Sequence, residues 1–338
     1  MSRNPLKITI FYVLTCLPAV VGAVKQGNDE SHILRVTPAE KSTGTAYAGM
    51  VLIPAGPAVI GSSRVDESRT AINMPDLKPW YLDEHPVHEQ TLKAFYLDRY
   101  EVTNSDYRRF VASTKKAPPH YWGSNGYIIS LRKTQLYSLG VEELRKLVEQ
   151  VLRKGLEVNG MERSALLELI EIRLRYLDRL PVTNINWHNA KAYCHWLNKR
   201  LPSENEWEKA ARGQYGSEFP WGEQWIAWIG NVGLKQMNDG VAPVGSHLGD
   251  VSSYGIFDLS GNVSEWTASW YLPYTGSDYM SSEFGERHVV VRGASWRDTD
   301  DEALKLKQRG AFRAYQLPDA ESDDIGFRCA ADIQTVID

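Results

Sequence analysis

Lys199-Arg-Leu-Pro-Ser-Glu-Asn-Glu-Trp-Glu208 is the stretch from which the fold is most directly read. Ser203 and Glu206 stand as a capping box, in which a serine hydroxyl and a glutamate carboxylate satisfy backbone amides at a helix start. The box predicts a helix beginning just after Ser203, with Trp207, Ala210 and Ala211 on one buried face. Upstream, Asn186 caps a predicted helix with the apolar stripe Trp187, Ala190, Cys194 and Leu197, which turns Cys194 inward. Further back, Thr103 and Asp106 repeat the capping pattern ahead of Tyr107, Phe110 and Val111.

Around these helices the chain reads as short strands and loops. Met50 to Gly61 predicts two strands hinged at Pro54–Pro57, and Ala94 to Val102 alternates like a third. From Gly213 to Ala331 the chain is dense in Gly, Asn, Asp and Trp, with short β runs at Val289–Arg292 and Gly326–Cys329 and a turn of helix around 301–307. Residues 127–179 break this texture. Val141, Leu144, Leu147, Val148, Val151 and Leu152 line one helical face. Ala165, Leu166, Leu169, Ile170, Leu174 and Leu177 line a second, with Gly155 and Asn159-Gly160 between them. The segment is expected to be a helical hairpin inserted into a loop-rich domain. It either packs on the body or docks a protein partner.

The N-terminus has the layout of a secretory leader: Arg3 and Lys7, an apolar run from Ile8 to Val24, and a small-residue site at Val21-Gly22-Ala23. Residues 1–23 are read as a signal peptide, with a retained anchor as the alternative, and 24–46 as a polar, flexible lead-in. The protein is therefore expected to be exported, periplasmic or secreted. The net charge of −4 and the lack of a lysine-rich run argue against a nucleic-acid partner. Outside the leader only Cys194 and Cys329 remain, which in an exported chain means one disulfide or two separate buried thiols.

Several motifs fall in order. They are Phe95-Tyr-Leu-Asp-Arg-Tyr-Glu-Val-Thr-Asn104, Pro181-Val-Thr-Asn-Ile-Asn-Trp187, Lys199 to Glu208, and Phe219-Pro-Trp-Gly222. Pro243-Val-Gly-Ser246, Gly261-Asn-Val-Ser-Glu-Trp266, Val291-Arg-Gly-Ala-Ser-Trp296 and Gly326-Phe-Arg-Cys-Ala330 follow. The series resembles the formylglycine-generating-enzyme, or sulfatase-modifying-factor, family across residues 47–332. The resemblance implies an α+β, C-type-lectin-like fold with little regular secondary structure. It implies a Cys194–Cys329 disulfide. A second family disulfide would need cysteines near Ala211 and Gly310, and both are missing.

The resemblance also implies two structural calcium ions. One set comprises the side chains of Asp258 and Glu265 with the carbonyls of Gly261 and Val263; the other comprises Asn231 and Asp239 with the carbonyls of Val232 and Val241. Carboxylates, amide oxygens and carbonyls are what a hard divalent cation takes, although such loops also merely cap turns.

Family members that oxidise a sulfatase cysteine hold copper(I) between two thiolates, and soft Cu(I) needs sulfur. Here the matching positions read Asp298 and Ala303, and a family tryptophan is replaced by Ser264. No copper and no formylglycine generation are expected. His85 and His88 are close enough to suggest zinc, but no third ligand lies nearby, and Ser295 has no histidine beside it to serve as a base. The resemblance further implies a peptide-accepting groove, here formed by Trp266, Ser295, Trp296, Arg297, Asp298, Arg309 and Arg313, whose aromatic and guanidinium groups suit a peptide, protein or glycan ligand. The leading reading is a calcium-braced, non-catalytic binding or accessory protein. The alternatives are an oxidoreductase with an untypical metal site and an assembly subunit docking through its helical hairpin.

Overall fold

The structure, a computed structural model, describes residues 47–65, 81–152, 157–233, 240–298 and 301–333. The leader and lead-in read at 1–46 lie outside the described residues. In chain order the elements begin with β1 (Met50–Ile53), β2 (Gly56–Ile60), β3 (His88–Leu92) and β4 (Phe95–Asp98). Helices α1 (Asn104–Thr114), α2 (Tyr121–Ser124), α3 (Lys133–Leu136), α4 (Val141–Leu152) and α5 (Arg163–Asp178) follow, then α6 (Trp187–Trp196) and α7 (Glu204–Arg212). The last part holds β5 (Ser264–Tyr271), β6 (Gly285–Arg292), α8 (Asp301–Lys307), β7 (Ala314–Gln316), β8 (Ile325–Gly326) and β9 (Ala330–Asp332). Three small sheets result, ordered β1-β4-β9, β2-β3 and β7-β6-β5-β8. All pairings are antiparallel except β5 with β8.

Both capping boxes form. Thr103 accepts from the Asp106 amide and Ser203 from the Glu206 amide, each reciprocated by the acid, and Asn186 caps α6. The two strands of 50–61 also form, whereas the third is shorter than the alternation suggests, ending at Asp98. Two strands have no clear sequence signal. β3 is polar (His-Glu-Gln-Thr-Leu) and pairs only with β2, so no buried face demands alternation. β5 is covered on both sides. Trp266 enters the core shared by α1, α5 and α6, while Glu265 on the opposite face meets Trp207 of the second core. A strand buried on both faces loses the two-residue period that would reveal it. Of the β run expected at Gly326–Cys329 only Gly326 lies in a strand: β8 ends there, 327–329 belong to no strand, and β9 begins at Ala330, β8 pairing with β5 and β9 with β4.

The described residues within 127–179 hold a 3-10 stretch at Tyr127–Arg132, then α3, α4 and α5. They are not a peripheral ornament. Leu144, Val148, Leu166, Ile170, Leu174 and Leu177 join Tyr107, Phe110, Tyr193 and Phe327 in one continuous core. Polar pins reinforce the junction. Asn104 donates to the Leu177 carbonyl at 3.0 Å, and its amide oxygen accepts from Tyr121 and Trp122. Arg108 pairs with Asp178 at 2.9 Å.

Cys194 and Cys329 are joined, with Cα atoms 5.6 Å apart and a sequence separation of 135. The bond ties α6 to the segment between β8 and β9, both deep in the core. Where a second family bridge would stand, a Cβ built on Gly310 lies 3.7 Å from that of Ala211, which is disulfide spacing. The space is taken instead by Arg212, whose Cγ would meet that added Cβ at 2.3 Å.

Closing so long a loop stabilises by about 5 kcal/mol in the chain-entropy model. Thiol titration of the unfolded, unreduced protein should therefore detect Cys16 at most, and Cys194→Ala/Cys329→Ala should lower the unfolding free energy by several kcal/mol. Two or more titratable thiols would refute the bridge.

Candidate functional site

The structure divides the seven groove candidates into two groups. Trp266, Arg309 and Arg313 are interior. Trp266 is fully buried, with its indole N–H donating to the Ile185 carbonyl at 2.8 Å. Arg309 makes a bidentate pair with Glu84 at 3.0 and 2.9 Å, reaches Glu218, and lies over the Tyr81 ring. Arg313 pairs with both oxygens of Glu204 at 2.7 and 3.0 Å, donates to the carbonyls of Asp83 and Leu272, and sits between the rings of Tyr271 and Tyr274. These three residues, read from the sequence as ligand contacts, are structural. Their donors are turned inward to groups of the fold.

The remaining four are together. Ser295 is buried, and its hydroxyl lies 3.2 Å from Asp298 Oδ2 and 3.4 Å from Asp324 Oδ2. Asp298 accepts from the Ser295 amide at 2.7 Å and pairs with Lys307 of α8, so the carboxylate closes a turn. Ala303, matched to the other thiolate, lies on α8. Trp296 is half-buried and donates to the Asp323 carbonyl at 3.1 Å. Arg297 is exposed, stacks on Trp296 and pairs with Asp323 at 2.6 Å. The acidic loop around Asp323 and Asp324 is a neighbour of this group that no local sequence pattern announces.

The two calcium sets abut. The Asn262 amide donates to the Asn231 carbonyl at 2.7 Å, and the Asn231 side chain donates to Asn262 Oδ1 at 2.9 Å. Gly261 is required here, since an added Cβ would stand 2.7 Å from the Asn231 amide nitrogen. Asn231 Oδ1 is buried with no hydrogen-bond partner among the described residues. An orphaned amide oxygen of that kind suits a hard cation. Val232 is buried and Val241 half-buried nearby, and Asp239 lies outside the described residues.

The other set fits less well. Glu265 gives both oxygens to Arg328 at 2.7 and 2.8 Å and one of them also to Trp207. Arg328 additionally takes the carbonyls of Phe257 and Asp258, so a guanidinium already serves the groups a dication would use. Acids nevertheless outnumber it. Glu101, Asp250, Asp258 and Glu265 are all buried around Arg328. Burial, then the Asp258 charge, pushes Asp250 up to about 7, and burial pushes Asp258 up to about 6. Among the described residues no three His, Cys, Asp or Glu side chains are arranged to hold a metal by themselves, so a cation here would depend on amide and carbonyl oxygens. His85 and His88 are occupied otherwise, facing the carbonyls of Arg64 and Pro86.

The order of motifs, the disulfide and this loop-rich frame agree with the comparisons. Residues 36–333 match the sulfatase-modifying factor enzyme 1-like domain. Inactive C-alpha-formylglycine-generating enzyme 2 of Bos taurus is 35% identical over 264 residues, 73% of this chain and 80% of that protein. The formylglycine-generating enzyme of Mus musculus is 29% identical over 272 residues, 74% of this chain and 69% of its own. PvdO from Pseudomonas aeruginosa superposes with a TM-score of 0.52 at 23% identity, covering 84% of this chain and 94% of its own. Treponema denticola variable protein 1 gives 0.51 at 20%, covering 83% and 94%. The chain belongs to the formylglycine-generating-enzyme, or sulfatase-modifying-factor, family and has its C-type-lectin-like fold.

Removing one partner of a buried ion pair strands the other charge and costs about 3–5 kcal/mol. Arg313→Ala is expected to lose that much in a denaturant melt, by uncovering Glu204, while Arg297→Ala, at an exposed pair, should change stability by less than about 1 kcal/mol. A neutral Arg313→Ala would contradict the interior assignment.

Proposed function

We propose that this protein is a non-catalytic member of the family, a binding or accessory protein of an exported, oxidising compartment that does not generate formylglycine. The observation that carries the reading is the use of sulfur. Cys194 and Cys329 are consumed by one bridge, and the positions matched to the copper thiolates are Asp298 and Ala303. A carboxylate tied to Lys307 and a methyl group offer nothing to soft Cu(I). The resemblance to an inactive relative at 35% identity supports the same conclusion, and the bridge itself suits an oxidising compartment. The ligand is a peptide, protein or glycan that meets Trp296 and Arg297, the half-buried ring and the exposed guanidinium among the groove candidates. Incubating the protein with copper(I), oxygen and a cysteine peptide of the sulfatase type should leave the peptide thiol intact by mass spectrometry. Conversion to the aldehyde would overturn the proposal.

Calcium belongs to the same reading as a brace. Asn231 Oδ1 would hold the ion with neighbouring carbonyls, and the charge it supplies would relieve the buried acids around Arg328. A ligand that binds only the native state raises the melting temperature with its free concentration. Calcium is expected to raise it, a chelator to lower it, and Asn231→Ala to abolish the difference. Glu265→Gln should destabilise with or without calcium, because it breaks the pair with Arg328. A melting temperature indifferent to calcium in the unaltered protein would count against the brace.

A further inference from the structure

A cavity of about 530 Å³ lies away from the groove, between the Ser62–Ser63 turn, the 3-10 turn at Leu82–Glu84 and the loop 276–280. Its volume is within the range of small-molecule sites. Three large apolar side chains in its wall are left in solvent: Leu82 at 39%, Val87 at 43% and Met280 at 80%. Pro86 and the Tyr279 ring extend the apolar surface. The floor is fixed by the interior. Ser62 is buried, and its hydroxyl accepts from Arg309 at 3.1 Å and from the Arg64 amide at 3.0 Å. The opposite wall is held by the Tyr279 amide donating to Ser277 and the Ser277 amide donating to the Tyr274 carbonyl.

The charge of this wall has one sign. Asp278 is its only formally charged side chain, is exposed, and makes no ion pair or hydrogen bond among the described residues. Arg309 beneath the floor projects no free positive charge, since Glu84 and Glu218 both pair with it. Serine hydroxyls, the His85 imidazole, whose Nε2 faces the Arg64 carbonyl, and an aromatic face complete the lining. An anion placed here would meet Asp278, and among the described lining residues no formally positive side chain compensates it. A cation would meet a carboxylate, hydroxyl oxygens and a ring face, and its apolar stem would cover Leu82, Val87 and Met280.

We infer that this cavity binds an organic cation carried on an apolar arm, the chemistry of an alkylamine or of a lysine side chain. The site goes beyond the family reading and does not depend on whether the protein is catalytic. The full chain labelled at its methionine methyls provides the test, the Met280 signal being assigned by its loss in Met280→Leu. Titration with n-hexylammonium should shift that signal saturably, with hexanoate at least about tenfold weaker, and the difference should shrink with added salt. Asp278→Asn should bring the two within about twofold while the melting temperature stays unchanged, as expected for an exposed loop residue. Met280→Lys, which places a cation at the mouth, should abolish the shift. Acetyl-Gly-Lys-Gly-amide titrated in parallel separates the sources: a stronger response than hexylammonium marks a peptide lysine, a weaker one a free amine. No saturable shift, equal response to hexanoate, or an unchanged preference in Asp278→Asn would each overturn the site.

Discussion

Glu204 and Glu208 on the buried face of α7 are the anchor from which the interior is organised. Glu204 pairs with Arg313 and Arg292, and Glu208 with Arg292 and Arg212. Burial alone would raise the Glu204 carboxyl, but the two guanidinium groups outweigh it and hold the carboxyl below the ordinary range. Each guanidinium also donates to loop carbonyls, Arg292 Nε alone of these donors finding no acceptor among the described residues. Arg292 takes Gly310 and Ala311; Arg212 takes Gly61, Gly216 and Ser217; Arg313 takes Asp83 and Leu272. Lys209 on the same helix takes Pro54 and Gly56. A domain with short sheets has many carbonyls that no ladder satisfies, and buried orphans are costly. Cations aimed inward from α7, from β6 and from the residue before β7 solve that problem, and the acids of α7 make their burial tolerable.

The same solution explains what the sequence could and could not reveal. Helix starts were legible because a capping box is local, and Thr103, Asn186 and Ser203 each act within three residues. The faces of α4 and α5 were legible because Leu144, Val148, Leu166 and Ile170 repeat with the helical period. The arginines were not. Arg309 and Arg313, set among aromatic residues, have the composition of a binding groove, and nothing local shows that Glu84 and Glu204, more than 100 residues away, claim them. β5 escaped because Glu265 and Trp266 are buried on opposite faces. The orphaned oxygen of Asn231 could be located only once its neighbours were known.

The region where a family enzyme would oxidise a thiol retains its scaffold with other contents. Ser295 and the turn after it persist, but Asp298 is now a strut between that turn and Lys307. Ser264 hydrogen-bonds the Gly293 carbonyl. The substituted positions are thus not empty leftovers. They make contacts that hold α8 and the strand before it, so restoring the two thiolates would remove a working ion pair. Trp296, half-buried, and Arg297, exposed, lie beside these contacts.

The three-stranded sheet has its own consequence. β4 is flanked by β1, the first strand, and β9, the last, while Tyr47 stacks on Tyr96 and donates to the Asp332 carbonyl. The two ends of the domain are therefore neighbours across a single strand, and the polypeptide runs almost as a closed ring. A ring has no privileged starting point. This domain can be spliced into a surface loop of another protein with both junctions side by side, or reopened at a distant loop after its own ends are joined, without disturbing the helix and strand whose charges hold the interior.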